Sequence, residues 1–267
     1  MSTLEKDSRS GVQSLETGMS IVRVLVNSQG PMMLRDIAQQ ADMPPAKAHP
    51  YLVSFMHGGL VKQNPLTGHY ELGPGALQLG LAALQQLDPL TEASQEAAQL
   101  AAASDLSIAL AVWGQLGPTV VRLDEPRYPL HVNLRVGTVM SLCNTITGRV
   151  FAAYLPEKMV RSMLEDEHRR VVGGTSASFD APEVQALLGE IRSTGMGRGV
   201  SMPQPGVNTL CAPVFDAAGH IALVMTMIGP QGVFDAEIDS AAGELLREHA
   251  RRTSLRLGHS VLTTAIG

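Results

Sequence analysis

Apolar positions in this chain recur with two different periods, and the change of period divides it. Residues 13–27 are helical in spacing, with Leu15, Met19, Val22, Leu25 and Val26 read as one stripe. Asn27-Ser28-Gln29-Gly30-Pro31 ends that helix. Leu34, Ile37, Ala38 and Ala41 then make a short second helix, and Asp42-Met43-Pro44 a tight turn. A third helix is expected from Pro45, because proline's fixed φ suits a first helical position. Its inner face is Ala48, Leu52, Phe55 and Met56. After Gly58-Gly59, LVKQN and HYEL flank a Pro…Gly turn and predict a β-hairpin. Three helices and a hairpin in this order describe a winged helix-turn-helix.

Gly73-Pro74-Gly75 interrupts the chain. Residues 76–87 then resume helical spacing through Leu77, Leu81, Leu84 and Leu87, a linker helix expected to pack on a partner. A helix at 89–104 leads into a hairpin, SIALAVWGQ and TVVRLDE, around Leu116-Gly117-Pro118. LHVNLR (130–135) is read as another strand, and 147–155, 156–167 and 182–194 as helices. Residues 195–207 are read as a Gly/Pro-rich loop. Two long strands, NTLCAPVFD and HIALVMTMIG, join at Ala217-Ala218-Gly219, and 235–257 close the region as a helix. Antiparallel strands bracketed by helices predict α+β rather than a parallel sheet. The expected organisation is a disordered 1–12, a winged helix-turn-helix over 13–73, a linker helix over 74–88 and an α+β domain over 89–260.

Composition narrows the function. Of 267 residues 45% are hydrophobic but only 4% aromatic, so Ala, Leu, Val and the 13 Met fill the interior. The polar start, MSTLEKDSRSG, is no signal peptide, and no apolar run approaches the roughly 18 residues that span a bilayer. The two cysteines, Cys143 and Cys211, fit no metal spacing, which points to a reducing cytoplasm. Residues 1–72 hold six Lys/Arg and six Asp/Glu, so the net charge of −5 resides in the remainder. A strongly basic footprint is missing. That argues against tight non-specific DNA binding and suits a specific dimer presenting a few placed cations.

Enzymatic motifs are absent. Gly195-Met196-Gly197-Arg198-Gly199 fails the spacing of a dinucleotide fingerprint, and no P-loop, G-x-S-x-G or zinc-type His spacing occurs. No His or acid is tied to Cys211 by a motif, so a small buried hydrophobe is the plainer reading. No enzyme activity and no cofactor or metal is expected.

Four ordered segments resemble those of IclR-type transcriptional regulators. VQSLETGMSIVRVL is similar to that family's first helix, and GLVKQNPLTGHYELGPGALQLG to its wing and linker entry. RVGTVMSLCNTITGRVFAAYLP resembles its pocket-side segment, and PGVNTLCAPVFDAAGHIALVMTMIGP its signature strands. The resemblance implies operator DNA as one partner, a small effector in a GAF-like second domain, and self-association as a dimer or dimer of dimers.

Each candidate residue has a plainer alternative. Lys47 and His49 lie opposite the inner face of the third helix, for phosphate or base-edge contact or simply as a solvated face. Arg35 is a candidate phosphate clamp or a surface charge; Thr67 and His69, with Gly68, form the wing tip. Pro50 stands where the family usually carries an arginine. An interior proline removes the bond to Ala46, disfavours helical geometry at His49, and costs about 3 kcal/mol. Impaired or altered operator binding is therefore an alternative reading.

For the effector, Thr145, Ile146, Thr147 and Gly148 open a helix whose N–H groups and hydroxyls suit a carboxylate; N-capping by either Thr is the alternative. Thr209 and Cys211 share one face of their strand, as do Thr226 and Ile228 of the next; by resemblance they line the pocket, with core packing as the alternative. Ser201 lies in the covering loop, and Val132 and Leu134 supply an apolar wall. Such a pocket suits a small organic acid, on the family's analogy one with an aromatic body.

Overall fold

The computed structural model describes residues 11–126, 134–170, 178–202 and 204–259, and the chain divides into two units between Leu87 and Asp88.

In the first unit α1 spans Gln13–Asn27, α2 Leu34–Gln40 and α3 Pro45–His57. The wing is β1 (Val61–Gln63) antiparallel to β2 (Tyr70–Leu72), with Met32 adding a bridge to Tyr70. Ile21, Leu25, Ile37, Ala38, Ala48, Leu52, Val61 and Tyr70 form the core. The turn between α2 and α3 places Asp42 at φ 52°, and Met43 N–H donates to Ala38 O at 3.0 Å. The α1 stripe differs from expectation. Its buried face is Gly18, Ile21 and Leu25, while Leu15, Met19 and Val26 are exposed. The helix is apolar on two faces, and Gly18 lies on the inner one, where a Cβ would crowd the Phe55 and Tyr51 rings.

Helix α3 continues unbroken through Pro50, and His49 stays helical, contrary to the expected displacement. Pro50 and Ala46 are exposed, so water can solvate the carbonyl that the proline leaves unbonded. Buried Ala48 and Leu52 hold the helix on the opposite side. Helix α4 (Pro74–Gln86) starts where Gly75 N–H donates to Gly59 O at 2.8 Å. A Cβ at Gly73 or Gly75 would collide with the backbone of Gly59. Its Leu77, Leu79 and Leu81 are more than half exposed.

The second unit begins with α5 (Pro89–Ser104), capped by Asp88, whose carboxylate accepts from Leu90 N–H at 3.0 Å. Two hairpins build an antiparallel sheet: β3 (Ser107–Gly114) with β4 (Gly117–Asp124), and β6 (Val207–Phe215) with β7 (Ile221–Pro230). The order is β4-β3-β7-β6-β5, where β5 is Gly197–Gly199. That edge strand replaces part of the expected 195–207 loop. Its Gly-Arg-Gly has no apolar alternation, and its glycines admit Ile146 and Val150 against the backbone. The expected strand at 130–135 lies mostly outside the described residues; Leu134 and Arg135 are in no strand. The expected disordered start lies outside them too, up to residue 10.

Helices cover both sheet faces, which explains why its strands read as nearly continuous apolar runs. Toward one face lie α6 (Ile146–Tyr154), α7 (Glu157–Arg170) and α8 (Pro182–Thr194), packed with Ala111, Cys211 and Val224. Against the other lie α5 and α9 (Ala241–Arg256). Helix α9 starts later than the expected residue 235, because Ser240 caps it through Gly243 N–H at 3.2 Å. Buried Glu96 of α5 fastens the two helices, accepting from His249 Nδ1 at 2.6 Å and from Arg256 at 2.9 Å.

Candidate functional site

Two sites emerge, one on a surface and one inside. In the first unit Lys47, His49 and Pro50 project on the solvent side of α3. Arg35 is exposed near the start of α2, 3.7 Å from Asp36. At the wing tip Asn64 Oδ1 accepts from Leu66 and Thr67 N–H, at 2.9 and 3.2 Å, and Gly68 takes φ 72°. Thr67 is exposed, and His69 Nδ1 lies 3.1 Å from Thr67 O. Leu66, 94% exposed at the tip, carries no signal in the sequence that would single it out. The arrangement leaves Lys47 as the lysine on the open face of α3 and closes the wing tip on Asn64.

The second unit encloses a cavity of about 230 Å³ between the sheet and the start of α6. Strand register builds it. Ala109 faces Thr226, Thr209 faces Ile228, and Ala111 faces Val120, all on one sheet face. The small side chains of β3 leave the space; Val207 and Gln204 close it from the β6 side, and Leu134, Thr138, Val139, Met140 and Ser141 from the segment before α6. Thr145, Ile146 and Thr147 supply the remaining wall. Among the described lining residues there is no charged side chain.

At the start of α6, Thr145 Oγ1 caps the helix by accepting from Gly148 N–H at 3.0 Å and donates to Ser141 O at 2.7 Å. The N–H groups of Ile146 and Thr147, at the first two helical positions, have no carbonyl partner within the helix. Thr147 Oγ1 lies 3.1 Å from Thr226 Oγ1 and 3.6 Å from Cys211 Sγ, a closed buried triangle of hydroxyls and thiol.

Of the candidate effector residues, Leu134, Thr145, Ile146, Thr147, Thr209, Thr226 and Ile228 line the cavity. Three others do not line it. Gly148 faces away, against the backbone of Ser141 and Leu142, where a Cβ has no room. Cys211 is fully buried behind Thr147 and Thr226, and burial pushes its thiol up to about 11, so it is neither a reactive nucleophile nor a wall. Ser201 turns into its own loop, donating to Gln231 Oε1 at 2.7 Å and accepting from Gly206 N–H at 2.9 Å. Gln204 is the loop's cavity-lining polar residue instead. Val132 lies outside the described residues. Ala109, Ala111, Val120 and Met140 carry no chemical signal, and only their strand register and position mark them.

A winged helix joined to a ligand-sized cavity defines the class of one-component regulators, in which one chain holds both a DNA-binding and a sensing domain. Residues 14–65 match the IclR helix-turn-helix domain, and residues 81–255 match the family described as bacterial transcriptional regulator IclR C-terminal. The chain belongs to the IclR family of transcriptional regulators. Its structure is similar to that of HmgR from Pseudomonas aeruginosa, with a TM-score of 0.85 and 36% identity, covering 94% of this chain and 100% of that one. It is 24% identical over 255 residues to the transcriptional repressor AllR of Klebsiella pneumoniae, covering 95% and 93% of the two chains. It is 29% identical over 223 residues to the glycerol operon regulatory protein of Streptomyces griseus, covering 82% and 85%. These relatives are transcriptional regulators, not enzymes, and no described helix is long and apolar enough to cross a membrane.

Proposed function

We propose that this regulator binds operator DNA through α3 and the wing, and a small organic acid through the cavity of its second unit. The cavity carries the reading. It holds about 230 Å³, below the roughly 300–1,000 Å³ of drug-sized pockets, so the ligand is small. Ala109, Val120, Met140 and Ile228 suit an apolar or aromatic body. With no cation in its described wall, an acid group is received by the N–H groups of Ile146 and Thr147 and the nearby hydroxyls, at the positive end of the α6 dipole. Lys47, Arg35, Thr67 and His69 contact phosphates, and His49 a base edge or phosphate. The setting is the cytoplasm.

Self-association completes the reading. The exposed apolar residues of α1 (Leu15, Met19, Val26) and α4 (Leu77, Leu79, Leu81) favour a dimer, alone or paired into a tetramer. Two recognition helices then meet half-sites about 34 Å apart. Ligand binding shifts the population of dimer geometries, and DNA alters ligand affinity by the same factor. Titrating operator binding with a panel of small carboxylates tests this. The expected result is a shifted operator isotherm for those acids that bind the protein; flat operator curves for every such acid would refute the coupling.

Pro50 in α3 favours a second reading, a sensor with an impaired DNA arm. It predicts a ligand-raised melting temperature without any shift of promoter DNA.

A further inference from the structure

Arg149 is an anomaly in a helix otherwise well explained. It lies in the first half of α6, only 7% exposed, and its Nε donates to Cys143 O at 2.7 Å. Among the described residues no carboxylate pairs with its guanidinium. Burial holds the group below its ordinary value, with only the nearby Cys143 thiol acting the other way. A largely buried cation without a paired carboxylate is costly, the positive end of a helix dipole makes it costlier, and its unbonded Nη atoms stay open to solvent rather than sealed. Arg149 lines a second cavity, distinct from the effector cavity, of about 70 Å³. Arg198 of β5, held by its ion pair with Glu237, also lines that space, with Ile191 and Met196 behind and exposed Glu190 of α8 beside them.

We propose that this second cavity is a binding site for a small oxyanion, of phosphate or carboxylate size, held by Arg149 and Arg198. At about 70 Å³ the cavity suits a small head group such as an oxyanion. A guanidinium fork pairs with two oxygens at once, which selects oxyanions over chloride. Glu190 is the competing carboxylate at the site and weakens binding. Ile146 lines both cavities, and the glycines of β5 pack against it, so the anion stiffens one wall of the effector cavity.

The test is calorimetric titration of the full chain with inorganic phosphate and, separately, acetate, in chloride buffer at constant ionic strength. A saturable site that Arg149→Met weakens is expected for at least one of them; such a site for phosphate alone identifies a phosphate-type ligand and for acetate alone a carboxylate. Arg149→Met should weaken binding at least tenfold, Arg198→Gln severalfold, and Glu190→Gln should tighten it severalfold. Thr226→Val, in the other cavity, should leave it unchanged. Absence of a saturable site for both anions overturns the proposal. So does binding that falls with Thr226→Val but survives Arg149→Met. Should Arg149→Met fail to fold, unchanged affinities in both Arg198→Gln and Glu190→Gln overturn it equally.

Discussion

The two units place their chemistry on opposite sides of their cores. In the first, the candidate DNA contacts (Lys47, His49, Thr67) are exposed, and the buried set (Ile21, Ile37, Leu52) only holds α3 in place. In the second, Thr147, Thr209 and Thr226 are themselves buried, so the same residues pack the unit and line its cavity. A DNA reader can therefore vary its surface at little structural cost. A sensor built this way cannot alter its ligand wall without altering its core.

The harshest test of that contrast is Leu52→Ala. Truncating a fully buried leucine should cost about 2–5 kcal/mol of unfolding free energy in the first unit. Chemical denaturation should show that loss while calorimetry finds ligand affinity unchanged; a parallel loss of ligand affinity would mean the units are not separable.

Alkaline pH probes the second unit next. Burial pushes both Cys143 and Cys211 up to about 11 from an ordinary 9.0. The folded state thus keeps protons that the unfolded chain releases. Stability is intact below pH 9 and declines as pH rises from there toward 11, by on the order of 2 kcal/mol for each thiol. Melting of a Cys143→Ala/Cys211→Ala variant should lose most of that slope; a slope equal to that of the parent would assign it elsewhere.

On the exposed side, Pro50→Arg restores a donor fork to α3 and the missing backbone bond to Ala46. Operator affinity should rise by about 1–3 kcal/mol, measured by fluorescence anisotropy; equal affinities would show that Pro50 does not limit binding. Thr226→Val removes a hydroxyl while keeping shape, and should cost about 1 kcal/mol of ligand binding. Smallest is Lys47→Ala. It should lower operator affinity evenly across sequences and reduce the salt slope by about 1.

Legibility follows the same divide. Helices α3 and α8 begin at prolines, and their boundaries could be read directly from Pro45 and Pro182. Strand alternation likewise placed Thr209 with Cys211 and Thr226 with Ile228 on shared faces. What failed had no local signal. Gly197–Gly199 pairs only because Cys211 and Thr209 stand opposite. The α1 stripe was misassigned because both its faces are apolar, and Gly18 lies on the inner one, close to Phe55. In the cavity, Ala109 and Ala111 matter for the volume they leave empty, which becomes visible only once β3 is registered against β7. Ser201 misled because a hydroxyl in a covering loop has two uses, and its positive φ of 53° turns it toward Gln231 and Gly206.

The junction of the two units has a consequence for engineering hybrid regulators. The intuitive cut is Gly73-Pro74-Gly75, the most loop-like string between the parts. Yet Gly73 and Gly75 are seated on Gly59, so α4 begins as an extension of the wing. Asp88 belongs to the sensing unit, because its carboxylate caps α5. A sensor transplanted onto a foreign DNA-binding unit should therefore be spliced between Leu87 and Asp88, with α4 travelling with the donor of the wing.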